Sequence, residues 1–283
     1  MLRLDQLSYQ LKDRMLLHPV DVEADPGHLW AVVGPNGAGK SVLLQLLAGS
    51  WKPTSGEVLW KEWPLTQHDP KQLARERAVL FQHPQMALEL TVEEVVLMGR
   101  YPHFRHQPGP VDFEAVDRAL ALTQLENFTH RPYHQLSGGE QQRVHIARVL
   151  TQLSAPKTAD TLGRAQWLLL DEPLNHLDVR YQHLLLDLLG RYARRGHLVW
   201  MVLHDLNLAA RYADRMMLLH EGVCRAQGPP DAVMQPELLS AVYGLPVEVD
   251  PARREARFSL PYSRPPRESS LFQSTSNIHH HHV

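Results

Sequence analysis

Residues 34–41 read GPNGAGKS, and residues 167–172 read WLLLDE. The first stretch meets the G-x-x-x-x-G-K-S pattern at Gly34, Gly39, Lys40 and Ser41. Each residue type there has a chemical use. Glycines let successive backbone N–H groups curl around phosphate oxygens without side-chain clash. A helix starting at the end of the stretch aims its positive end at the same charge. Lys40 adds a mobile cation for the β- and γ-phosphates, and the Ser41 hydroxyl can ligate Mg²⁺. Gly34, Pro35, Asn36, Gly37, Ala38, Gly39, Lys40 and Ser41 are therefore the expected phosphate-binding residues.

A phosphate loop of this kind needs an acidic partner, and the second stretch supplies two carboxylates at the end of an apolar run. Asp171 is placed to organise Mg²⁺ through its waters, and Glu172 to polarise an attacking water. The bland alternatives are a chance glycine-rich turn and an ordinary acidic strand-to-turn junction. The apolar run LWAVV before the loop and the helix-length stretch after it weigh against the first. The pairing of the two motifs weighs against the second.

A third stretch, LSGGEQQR at 136–143, begins a helix-forming run. Ser137 and Glu140 have the spacing of a capping box. That box would use the N–H groups of Ser137 and Glu140. It would leave those of Gly138 and Gly139 free, at a helix end of positive potential. The chain thus carries two helix starts suited to an anion.

The elements that position these residues alternate in type. Residues 2–9 and 19–24 alternate apolar and polar, as half-buried strands do. Leu29 to Val33 form a strand entering the first loop, and GEVLWKEWP at 56–64 reads as a strand with a turn on which Trp60 and Trp63 pack. Residues from about 83 to 165 read as an all-helical insert, including TVEEVVLMGR with a capping box at Thr91 and Glu94. Strands return at Trp167–Leu170 and at LVWMVLH, residues 198–204. Strands alternating with helices imply an α/β fold, a largely parallel sheet with helices on both faces. One domain is expected over 1–250, with an extension over 251–283 that is arginine-, proline- and serine-rich and disordered from about 264.

Totals narrow the class. A chain of 283 residues with net charge -2 can build a sizeable core and lacks the basic excess of a nucleic-acid surface. Cys224 is the only cysteine, so no disulfide framework or cysteine metal cluster exists. No stretch offers the roughly 20 consecutive apolar residues of a membrane-spanning helix. Of the 18 histidines, His130 and His134 are four apart, but Pro132 between them is poor for a helical metal site.

The motifs GPNGAGKS, Gln82 in LFQHPQ, LSGGEQQR, WLLLDEP, NHLD and VLHDLN stand in the order found in the ATP-binding cassette (ABC) ATPases, which the chain resembles to about residue 250. The resemblance implies a P-loop NTPase core with an antiparallel β subdomain and an inserted helical subdomain, acting with ATP and Mg²⁺. It implies that Gln82 contacts Mg²⁺ and the attacking water and senses a membrane partner. Glu172 would be the general base, Asp178 would bridge two subunits and His204 would contact the γ-phosphate. Ser137, Gly138, Gly139 and Glu140 would serve the γ-phosphate held by the other subunit of a homodimer. Two departures stand out. The usual adenine-stacking aromatic falls at Leu11, so either Tyr9 on the same strand face substitutes or adenine stacking is weak here, and EPLNHLD replaces the commoner EPTSALD.

Within the family, TVEEVVLMGRYPH is similar to importers of iron-siderophores, heme and cobalamin, and the run from HDLNLAARYADRMMLLHEG to LLSAVYGLPVEV is most similar to hemin-import ATPases. The implied partners are integral-membrane permease subunits and, indirectly, a periplasmic or extracellular substrate-binding protein, without nucleic acid. The implied location is peripheral, on the cytoplasmic face of the inner membrane. A soluble ABC ATPase acting on ribosomes or DNA is the alternative from another class.

Overall fold

The computed structural model describes residues 1–81, 89–154 and 165–259. The chain opens with an antiparallel hairpin, β1 (Leu2–Leu11) and β2 (Arg14–Ala24), whose alternate leucines and valines face inward. The buried strand β3 (Leu29–Val33) leads through the first glycine-rich loop into α1 (Lys40–Leu47). Next come β4 (Ser55–Trp60), β5 (Trp63–Pro64), α2 (Pro70–Glu76) and β6 (Arg77–Leu80). The insert contributes α3 (Val92–Leu97), α4 (Pro110–Leu122) and α5 (Gly138–Leu153). The chain returns with β7 (Trp167–Asp171), α6 (Val179–Arg194), β8 (Leu198–Val202), α7 (Leu206–Tyr212), β9 (Arg215–His220) and β10 (Val223–Gly228). It ends with α8 (Pro230–Val233), α9 (Pro236–Tyr243), β11 (Val247–Asp250) and β12 (Glu255–Phe258).

One sheet has the order β10-β9-β3-β8-β7-β6 and is parallel except at its β10 edge. A second, antiparallel sheet has the order β2-β1-β4-β5. The α/β architecture with an antiparallel subdomain and a helical insert is as expected. β3, β7 and β8 are buried along their whole length, which explains their unbroken apolar sequences. Leucines of α1 and the inner faces of both sheets share one core, where Trp30 stacks on Trp200 at 4.8 Å and Trp60 on Trp167 at 5.3 Å. Trp63 departs from expectation and is 63% exposed. It lies on β5, at the outer edge of its sheet, where no further strand among the described residues covers it.

The insert packs around its own valine-rich core, drawn from α3, α4 and α5. The Thr91 capping box forms as expected, with Thr91 N–H donating to Glu94 at 2.8 Å. A buried guanidinium pins the insert together. Arg100 Nε donates to Asp112 Oδ1 at 2.9 Å, and its NH1 donates to the carbonyls of Thr151 and Ser154. Asp112 also accepts the Gly109 N–H at the start of α4. Folding continues past residue 250, because β11 pairs with β12 and the Asn207 side chain on α7 both donates to and accepts from the Ala256 backbone. The boundary expected at 250 thus falls inside this hairpin, and the tail expected to be disordered lies outside the described residues.

Candidate nucleotide site

The functional stretches converge because three neighbouring parallel strands deliver them at their carboxyl ends, where ligands of such sheets bind. β3 ends in GPNGAGKS, β8 leads to His204, and β7 ends in Asp171 with Glu172 following. Gly39, just before α1, sits at φ 99, and a Cβ there would lie 2.7 Å from the Leu16 carbonyl oxygen. Only glycine meets both conditions. Lys40 is buried, and its Nζ donates to the carbonyls of Gly34 at 2.8 Å and Pro35 at 2.9 Å, which holds the ammonium across the loop. Burial pushes its pKa down, while Glu172 and Asp171 pull it back up.

The Asp171 carboxyl is buried and hydrogen-bonded to Ser41, which joins the two motifs. Burial raises its pKa, the Ser41 hydrogen bond opposes that, Glu172 adds to it and Lys40 opposes it. Glu172 adopts φ 51, a left-handed conformation that a side chain other than glycine rarely takes. Side chains from two other segments hold its carboxyl. His204 Nε2 lies 2.5 Å from Oε1, and Asn175 Nδ2 donates to Oε2 at 2.6 Å. From the sequence, His204 is expected on a phosphate and Asn175 has no role. The structure brings both to Glu172. Asn175 was visible in NHLD as part of a motif, but the turn that folds it back was not.

The capping box of LSGGEQQR is present: Ser137 N–H and Oγ each donate to Glu140 at 2.8 Å. Gly138 and Gly139 begin α5. A Cβ on Gly139 would come within 2.7 Å of the His176 carbonyl oxygen, so the backbone of NHLD needs that glycine as much as an anion would. Gln142 Nε2 donates to the Pro173 carbonyl at 2.9 Å, which fastens the same helix to the turn after Glu172. Asp178 caps α6 by accepting the Tyr181 N–H at 2.9 Å. Among the described residues, no hydrogen bond joins Ser137–Arg143 to Gly34–Ser41. Tyr9 packs at the edge of the core and leans on Trp51, ring centroids 5.1 Å apart, while Leu11 is 51% exposed. Gln82 lies outside the described residues.

A family profile for ABC transporters matches residues 17–175. The hemin import ATP-binding protein HmuV of Rhodopseudomonas palustris is 44% identical over 254 residues, covering 90% of this chain and 94% of that protein. A protein of the same name from Gloeobacter violaceus is 42% identical over 281 residues and covers 99% of each chain. The chain belongs to the ABC transporter ATPase family. The dimeric structure of a bacterial ABC transporter cassette is 27% identical to this ABC ATPase with a TM-score of 0.69, covering 81% of this chain and 98% of that one.

As an ABC ATPase the chain binds nucleotide and hydrolyses ATP. The residues present also fit Mg²⁺. The donors are a hydroxyl and a carboxylate, the oxygen ligands this ion takes. Asp171 Oδ1 is buried with no hydrogen-bond partner among the described residues. No cluster of three or more His, Cys, Asp or Glu side chains could hold a metal among those residues. Mg²⁺ keeps several waters and takes one or two protein carboxylates beside substrate phosphates.

Proposed function

We propose that this ABC ATPase powers a hemin importer, working as a homodimer bound to integral-membrane permease subunits at the cytoplasmic face of the cell membrane. The similarity that supports hemin is identity above 40% over nearly the whole chain to proteins named for hemin import. Among the described residues no helix is long and apolar enough to cross a membrane, so a permease would supply the span. The substrate would pass through that permease, and a substrate-binding protein would act upstream of it.

The observation that carries the chemistry is the doubly held Glu172 carboxyl beside the Asp171–Ser41 pair. Water attacks the γ-phosphorus in line, the bond to the β-phosphate oxygen breaks, and ADP leaves with the electron pair. Glu172 takes the proton from the water, and no phosphoenzyme forms. His204 and Asn175 orient the carboxylate. Ser41 and Asp171 would hold Mg²⁺, which supplies charge neutralisation along the phosphates. Ser137 and the free N–H groups of Gly138 and Gly139 reach the γ-phosphate bound by the second copy, and Gln82 and Asp178 link the site to the permease and the other subunit.

The test is ATP-driven uptake into vesicles carrying this ATPase and its permease, with hemin, cobalamin and a ferric siderophore compared. Hemin uptake that requires ATP is expected. Uptake of another chelate in its place would move the assignment to that substrate.

A further inference from the structure

A cleft of about 230 Å³ lies between the helical insert and α6, away from the phosphate loop. Its walls come from the end of α4, from α5 beyond the capping box, and from the segment between Leu177 and Arg191. Leu122, Ile146, Leu184 and Leu185 make it largely apolar. Two arginines, Arg143 and Arg191, line it, and no acidic side chain does. We propose that this cleft binds a small apolar molecule carrying one carboxylate.

Arg143 carries the argument. It is only 8% exposed. Its NH1 donates to the carbonyls of Thr123 at 3.1 Å and Gln124 at 3.0 Å, closing the end of α4. The Tyr181 ring lies 4.2 Å from its central carbon. Nε and NH2 find no acceptor among the described residues. The guanidinium is therefore fixed on one side, and the Nε–NH2 edge is left unused. That edge is the one which grips a carboxylate with two parallel N–H···O bonds. Arg191 differs, because Asp187 already pairs with it at 2.7 Å.

Size restricts the occupant. A cavity of about 150 Å³ takes a single benzene, and drug-sized ligands need roughly 300–1,000 Å³. One ring or a short chain fits between these limits. The bound molecule would touch α5 a turn after Glu140 and α6 a turn after Asp178, so it would bridge the insert to the core.

The experiment is calorimetric titration of the full chain with octanoate, octylamine and octanol. Saturable binding of one octanoate per chain, without saturable binding of octylamine, is expected. Leu184 is 41% exposed, so Leu184→Glu leaves the core intact while placing a like charge at the cleft. It should weaken octanoate about tenfold. Arg143→Lys, which keeps the charge and loses the fork, should also weaken it severalfold. If Leu184→Glu unfolds the chain, Leu122→Glu at a 55% exposed position replaces it. Absent octanoate binding, equal binding of octanol or octylamine, or indifference to the cleft substitutions would each overturn the proposal.

Discussion

Glu172 concentrates constraint. Its positive φ is strain of about 1–3 kcal/mol, which the surrounding structure must hold in place. His204 and Asn175 fasten both carboxyl oxygens. Glu172→Gln keeps the shape, leaves an acceptor oxygen for one of the two contacts, and cannot take a proton from water. It should bind ATP normally while turnover falls roughly 10²–10⁴-fold, the range for loss of a positioned base. Equilibrium nucleotide binding with single-turnover hydrolysis measures both. Asp171 makes the opposite trade. Burial raises its pKa, so the folded chain binds that proton more tightly than the unfolded chain does. The resulting penalty is absent in acid, where both states are protonated. It grows as pH rises from the ordinary carboxylate value through the raised one, and is complete above it. Asp171→Asn should therefore raise the melting temperature of the nucleotide-free protein near pH 7, lose that gain in acid, and abolish Mg²⁺-dependent hydrolysis. At this scale the phosphate loop and the Asp171–Glu172 pair were legible, because the chemistry admits few residue types. The pairing of His204 with Glu172 was not, since it arises where β8 and β7 end side by side.

At the scale of elements, boundaries signalled by local chemistry were readable and those made by docking were not. The boxes at Thr91 and Ser137 are satisfied within four residues, so the sequence alone shows them. β12 is a polar, arginine-bearing segment that becomes a strand only by pairing with β11 and docking on Asn207. Nothing within the segment announces that. Trp63 was misplaced for the same reason, since coverage depends on which strand ends up at the sheet edge. The insert offers its own test in Asp112. Removing one partner of a buried ion pair costs about 3–5 kcal/mol. Asp112→Ala should sit near 3, because the Thr151 and Ser154 carbonyls still hold Arg100. Chemical denaturation measures it, and a cost under about 1 kcal/mol would mean that the pair contributes little beyond a surface bridge.

At the scale of the whole molecule, the chain holds separate anion-suited helix starts on α1 and α5, and among the described residues no hydrogen bond joins the two within one copy. The account requires them to meet between copies, which a two-fold dimer achieves twice over. The direct measurement is made on mixed dimers that carry Lys40→Ala and Ser137→Arg. With the two substitutions on different subunits, both lesions fall in one shared site and the other stays whole. With both on the same subunit, each site carries one lesion. Counting ATP molecules held per dimer in a Glu172→Gln background should give one in the first arrangement and none in the second. The reverse pattern, with one ATP held when both substitutions share a subunit, would contradict the account.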